Sequence, residues 1–338
     1  MHFQNVSILS LAHVDAPHRV TSASLSEQLA PTLQRLGMRG DVLETASGIA
    51  ARRYWDAGVQ PSQVAAAAAE KALVQAGIDR SRVGILVNTS VCRDFIEPST
   101  ACLVHARLGL AATCLNFDIG NACLAFLNGM QIVGNMIERG QLDYGLIVNG
   151  ESARFVQEAT VARLLAMDTT AEEFRSQFAT LTLGSGAAAM LLCRSDLAPG
   201  GHRFVGAVSR AATEHSGLCK GQIDRMDTDA KALLFAGLQL AGDTWAAASS
   251  ELGWRAQDLD EYVLHQVSGT HTASLCQALG LEARKVMAIF PEYGNIGPAS
   301  VPIVLSKAVE AGRIAKGHRV ALMGIGSGLN CTMAEVVW

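Results

Sequence analysis

The sequence predicts an α/β protein made of two duplicated halves. Short apolar runs with strand character alternate with helical stretches along the whole chain. A block of strand, Gly-Asn and helix also recurs about half a chain later. A third observation bounds the class. The 338 residues are 49% hydrophobic and only 17% charged, enough apolar material for a large core and too little charge for disorder.

Taken in order, Val6–Val14 reads as a strand and Gln63–Ala76 as an Ala-rich helix. VGILVN (Val83–Asn88) is a buried strand, followed by a helix that opens at Pro98. Leu115–Ile119 is a strand, Cys123 to Arg139 a helix, and Tyr144–Val148 the next strand. In the second half, Leu279–Leu281 repeats the LGL of Leu108–Leu110. A strand at Val286–Phe290, Gly294-Asn295 and a helix follow, as Gly120-Asn121 and its helix do earlier. GLIVNGES (Gly145–Ser152) corresponds to ALMGIGSG (Ala321–Gly328), and GILVN (Gly84–Asn88) to EYVLH (Glu261–His265). Four matches in one order imply a duplication about a pseudo-two-fold axis, divided into residues 1–195 and 196–338. Equivalent loops of the two halves should then converge on one site.

The net charge of −4 offers no basic surface to a nucleic-acid backbone, and 5% aromatics argue against base-stacking platforms. The uncharged run Ile119–Ile137 is long enough for a bilayer but carries Asn121, Asn128, Gln131 and Asn135, so it reads as a helix buried in protein. MHFQNVSILS has neither a cationic start nor a cleavage site, and the eight cysteines lack paired or metal-ligand spacing. A cytoplasmic protein with reduced thiols, no metal and no redox cofactor is expected.

Chemistry belongs at the converging loops. Cys123, in NFDIGNACLAFLNG, sits where a strand gives way to a helix, whose free N–H groups and dipole would favour a thiolate and depress its pKa. The other seven cysteines read as small buried hydrophobes. His265 closes YVLH, a position usual for a structural histidine but here facing the Cys123 loop. Asn295, in EYGNIGPAS, is by itself a turn or cap residue. GIGSGLN (Gly324–Asn330) follows a strand, yet CTMAEVVW after it is another strand. It therefore lacks the helix of a dinucleotide fingerprint, and its backbone N–H groups suit an oxyanion better. Glu97, before Pro98, is by itself an acidic residue near a helix start. Arg52, Arg53, Arg93 and Lys220 read as solvated surface charges, and no cationic cluster marks a phosphate site.

Together, NAC (Asn121–Cys123), HQ (His265-Gln266), GNIGPAS (Gly294–Ser300) and GIGSG (Gly324–Gly328) resemble the ketoacyl synthase III branch of the thiolase superfamily, over the whole chain. Within that branch, VCRDFIEPST (Val91–Thr100) and FATLTLGSGAAAMLL (Phe178–Leu192) are most similar to the acyl-CoA condensing enzymes of bacterial long-chain olefin biosynthesis. The resemblance implies a thiolase fold of five αβαβα layers and a non-decarboxylative Claisen condensation of two long-chain acyl-CoAs. It makes Cys123 the acyl-carrying nucleophile and His265 with Asn295 the polarising pair. Ser327, flanked by Gly326 and Gly328, would supply an oxyanion-hole N–H. Glu97 would be the base, serving the partner's site in a homodimer. Coenzyme A thioesters enter as substrates and no cofactor is needed. Other enzymes of the olefin pathway are the implied partners. The alternative is a decarboxylating synthase that uses malonyl-thioester. Glu97 and Gly184-Ser185-Gly186 stand against it, where such synthases carry an apolar residue and Gly-Asp-Gly. A hydrolase that releases the Cys123 acyl group to water and a silent thiolase-like subunit are weaker rivals.

Overall fold

A computed structural model describes all residues, 1–338. Nine strands form one hydrogen-bonded run. From one edge they are Glu261–Leu264, Arg319–Gly326, Asn330–Val337, His202–Ala211, Val6–Asp15, Gly186–Arg194, Tyr144–Glu151, Ile85–Asn88 and Leu115–Asp118. The last five come from the first half of the sequence and the first four from the second. The two groups join through only Ser7↔Arg203 and Ile8↔His202.

Strand register bears out the duplication residue by residue. Ile85 pairs in parallel with both Gly145 and Leu115. Its counterpart Tyr262 pairs in parallel with Ala321 and, through an isolated bridge, with Val286. These are the partners that the repeated blocks match. One expected strand fails: Val286–Phe290 is reduced to that single bridge. The side chain of Gln266 takes the N–H groups of Ile289 and Phe290 at 2.8 and 3.0 Å, and a short helix, Phe290–Tyr293, follows at once.

The layers follow from apolar patterning. Between the two strand groups lie the helices Ala125–Glu138 and Ser300–Glu310, whose Phe126, Leu127, Met130, Ile303, Val304 and Leu305 are buried with both halves' strands in one core. On the far side of the first group, Pro61–Ala76 and Thr100–Leu108 pack through Val64, Ala68, Leu73 and Val104. On the far side of the second, Ala230–Glu251 and Gly269–Leu279 pack through Leu240, Leu275 and Leu279. Strands buried on both faces read as continuous apolar runs, as Tyr144–Glu151 does. The uncharged stretch after Asp118 is indeed a helix inside protein. Asn128 donates to Gln131, which reaches Ser209, so its amides are satisfied without water. No helix is long and apolar enough to cross a membrane.

The central helix lies so close to the sheet that Gly145 has no room for a side chain. A Cβ there would fall 2.3 Å from Val133 Cγ1 and 3.0 Å from Ile85 Cγ2. Gly145→Ala should cost about 1–3 kcal/mol of unfolding free energy in urea titrations. Because the clash is with one methyl, combining it with Val133→Ala should cost less than the sum of the two, by at least about 0.5 kcal/mol.

Candidate active site

The turn that carries Cys123 is built by backbone constraint. Strand Leu115–Asp118 ends with the Asp118 carboxylate accepting the N–H groups of Thr100 and Ala101 at 3.0 and 2.8 Å, which fixes where the chain leaves the sheet. Ala122 then adopts a φ of +45°, a left-handed conformation that a non-glycine residue enters only at a cost of about 1–3 kcal/mol. Hydrogen bonds hold it there. Leu124 N–H closes on the Asn121 carbonyl at 3.0 Å. The Asn121 side chain donates to Asn128 Oδ1 at 2.7 Å and accepts from Asn330 Nδ2 at 3.1 Å. Gly326 lies against this turn, where a Cβ would sit 3.1 Å from the Asn121 carbonyl and 3.3 Å from Cys123 N. The loop Gly326-Ser327-Gly328 thus lies against the Cys123 turn, and Gly326 must be glycine for it to approach so closely.

Two expectations about Cys123 are corrected. The helix begins at Ala125, so Cys123 lies in a short 3-10 turn, Ala122–Leu124, ahead of it. Its thiol is not acidified. Burial pushes the pKa up to about 12, reinforced by the Glu151 carboxylate and by Cys219. The resting residue is a thiol. All eight cysteines are free; Cys114, Cys193 and Cys331 are buried as small hydrophobes, but Cys92, Cys219 and Cys276 are only partly buried and Cys102 is exposed, so the expectation of seven buried thiols holds for three.

His265 follows strand Glu261–Leu264 and donates its backbone N–H to the Met323 carbonyl at 2.8 Å, beside the strand that leads into the glycine loop. It is 3% exposed. Burial, with His271 nearby, holds its pKa down to about 3, so the ring is neutral, and its Nδ1 has no protein partner. Gln266 ties this strand end to the Asn295 segment. Its N–H donates to Ser300 Oγ, its Nε2 to the Met287 carbonyl, and its Oε1 accepts from Ile289 and Phe290. Asn295 is clamped by its backbone to Thr182 and Gly184 at 2.9 and 2.7 Å. Its Oδ1 accepts the Gly297 N–H at 2.9 Å, leaving the Nδ2 donors uncommitted. Residues Gly297–Ala299 pack on Ala122–Leu124. The structure therefore brings Cys123, His265, Asn295 and the glycine loop to one place.

Glu97 is set apart. It is exposed, on a loop flanked by Phe95 and Ile96 at 57% and 86% exposure. The helix expected from Pro98 starts at Thr100, with Ser99 Oγ accepting from the Cys102 N–H as its cap. Arg52 is corrected as well. Far from being a surface charge, it is fully buried and donates to Ser22 Oγ and the Leu181 carbonyl at 3.0 Å each, with burial lowering its pKa to about 10.

Three groups beside Cys123 or His265 escaped the sequence reading. His271 is neutral, held down to about 4 by burial. Cys219 comes from the hairpin Cys219–Gly221 with Met226–Thr228. Glu151, at the end of strand Tyr144–Glu151, is 4% exposed, and burial pushes its carboxyl up to about 7.

Against known proteins, residues 117–212 match the model of 3-oxoacyl-[acyl-carrier-protein] synthase III, and residues 249–338 match that of its C-terminal region. The chain is 55% identical over its full length, and that of its relative, to the acyl-CoA:acyl-CoA alkyltransferase of Xanthomonas campestris. It is 37% identical, again with both chains fully covered, to that of Shewanella oneidensis. Cerulenin-bound Xanthomonas OleA superposes with a TM-score of 0.99, over 100% of this chain and 98% of that one. A cysteine variant of OleA with bound lauric acid and lauroyl-CoA gives 0.98, over 99% and 100%. The chain belongs to the ketoacyl synthase III branch of the thiolase superfamily, in the group of acyl-CoA:acyl-CoA alkyltransferases.

The neutral ring of His265 makes folding sensitive to acid. Its native pKa of about 3 lies below the ordinary 6.5, so the unfolded chain binds a proton that the native state refuses between these values. This penalty is absent above pH 6.5 and grows as pH falls toward 3. Wild-type stability in urea should drop over this window, and His265→Asn should flatten the slope by up to about 1.4 kcal/mol per pH unit.

Proposed function

We propose that the chain performs a non-decarboxylative Claisen condensation of two long-chain acyl-CoAs, giving a 2-alkyl-3-keto acid for long-chain olefin biosynthesis. The observation that carries this is the convergence of Cys123, neutral His265, Asn295 and the glycine loop, in a chain 55% identical throughout to an acyl-CoA:acyl-CoA alkyltransferase. Xanthomonas OleA has been crystallised with one glutamate, one cysteine or one histidine replaced. Those three residues are spaced along that chain as Glu97, Cys123 and His265 are here.

Cys123 sulfur attacks the thioester carbonyl of the first acyl-CoA, and its proton leaves with the departing coenzyme A thiolate. Negative charge on the tetrahedral oxygen is met by the backbone N–H groups of Cys123 and Ser327. The second acyl-CoA places its thioester oxygen at His265 and Asn295. That oxygen takes up the electron pair when a base removes an α-proton. A neutral imidazole and a free amide donor suit this role, since both donate hydrogen bonds to a developing oxyanion without a resting charge. The enolate carbon then bonds to the Cys123 acyl carbon, the sulfur leaves, and hydrolysis of the remaining thioester frees the keto acid. No step calls for a metal or redox cofactor.

A substrate without a carboxyl group to lose needs a base, and Glu97 supplies it on this reading. Its exposure on one subunit favours action at a partner's site. The edge strand Leu115–Asp118 leaves Leu115 and Phe117 uncovered, and Val91, Phe95 and Ile96 are uncovered on the loop that bears Glu97; these apolar side chains would give a homodimer its interface.

Purified protein given only myristoyl-CoA should yield a product joining two acyl chains, or the ketone left after that acid loses carbon dioxide, detected by mass spectrometry. Glu97→Gln should lower its rate about 100-fold or more while the Cys123 acyl-enzyme still forms. Free myristate alone would mark a hydrolase. Turnover only with malonyl-thioester would mark the decarboxylating alternative.

A further inference from the structure

Glu151 is the one buried carboxylate beside the nucleophile, and the chemistry above gives it no part. Its surroundings say what it does. Oε1 accepts the Val91 N–H at 2.8 Å and Oε2 the Cys92 N–H at 3.2 Å. These two residues begin the loop that carries Glu97. The same contact is reinforced alongside, where Cys92 Sγ accepts the Ser152 N–H at 3.4 Å and donates to the Ser152 carbonyl at 3.3 Å. Ser90 Oγ accepts the Gly150 N–H at 2.8 Å. On its other side the Glu151 carboxyl faces the Asn295 turn, where a Cβ on Gly297 would lie 3.7 Å from Glu151 Cδ. Its backbone carbonyl accepts Trp55 Nε1 at 2.9 Å, which keeps the strand end from shifting.

Beyond Cys92 the loop has one more anchor, Asp94. It accepts the Ser62 N–H at 3.0 Å and the Ser62 hydroxyl at 2.6 Å. Phe95 to Pro98 then run exposed. A buried carboxylate that spends both oxygens on two consecutive N–H groups sets the orientation of that peptide. Replacing one oxygen by an NH2 group turns an acceptor into a donor facing a donor, which costs about 1–3 kcal/mol where no water can intervene.

We infer that Glu151 is a positioning residue for the condensation step: its carboxylate fixes the Val91–Cys92 turn, and so the loop bearing Glu97, against the Asn295 turn of the same subunit. The inference rests on the reading of Glu97 as the base. Because Glu151 adjoins its own subunit's Asn295 turn while Glu97 serves the partner's site, one carboxylate joins the frames of both sites in a dimer.

The test separates the two half-reactions with myristoyl-CoA. Glu151→Gln should leave single-turnover acylation of Cys123, followed by intact mass, within about threefold of wild type. The kcat for the joined product should fall about tenfold or more with KM changed by less than about threefold. Glu151→Asp keeps two acceptor oxygens and should restore most of the lost kcat. Should Glu151→Gln melt far below wild type, the ratio of condensation to acylation is read on its folded fraction at a temperature below its melting transition, with Glu151→Asp as the control that keeps both half-reactions near wild type. Equal loss of both half-reactions, or no loss of either, overturns the inference while the wild-type reaction stands. A wild type that makes no joined product at all overturns the underlying reading, and the inference with it.

Discussion

The site depends on the burial of two helices between two sheets. Ala125–Glu138 and Ser300–Glu310 must lie in the middle layer to cover their apolar faces, and each begins a few residues after a turn that bears a chemical group. The duplication makes these turns equivalent, Gly120-Asn121 before Cys123 in one half and Gly294-Asn295 in the other. Packing the helices side by side therefore brings the Cys123 and Asn295 turns together. The strain at Ala122 is tolerated because the surrounding packing leaves that turn no alternative: Gly326 presses on it from one side, and Asn128 and Asn330 hold Asn121 in place.

The same burial sets the electrostatics. Desolvation drives three titratable groups at the centre toward their uncharged forms: the Cys123 thiol up to about 12, His265 down to about 3, Glu151 up to about 7. A resting site whose thiol and imidazole are uncharged is compatible with apolar acyl chains alongside. It confines charge to the moments when bonds change, on sulfur and on the thioester oxygens. Fixed donors then act on that charge in a medium where they are worth more than in water. A thiolate stabilised in the empty site by a helix dipole, the simpler expectation, would carry a standing desolvation cost that this arrangement avoids.

Much of this was legible in the sequence because it was written in short-range pattern. The apolar runs and the repeated blocks marked equivalent positions in the two halves, and the structure pairs them alike, Ile85 with Leu115 as Tyr262 with Val286. What escaped was decided by tertiary contact. Val286–Phe290 has a strand's composition, but Gln266 from another segment takes the N–H groups a ladder would use. Arg52 reads as surface because it is charged, yet the carbonyls and hydroxyl that accept its donors come from remote segments. Glu151 ends an apolar strand, where an acidic residue ordinarily meets solvent. The loop that covers it is folded over by its own hydrogen bonds to Val91 and Cys92.

Glu97 poses the opposite case, since its motif was readable and its surroundings on one chain are open. A carboxylate in water is a weak base toward a carbon acid, and it gains strength when solvent is withdrawn from it. Nothing in its own subunit withdraws that solvent. Phe95 and Ile96 beside it stand exposed, as do Leu115 and Phe117 on the sheet edge. If Glu97 serves a partner as proposed, a second subunit covers these apolar side chains and the acid among them. On the proposed reading, association and catalysis are then a single event. The surface that buries the edge also dehydrates the base, so a subunit that fails to pair would keep its nucleophile and lose its condensing step.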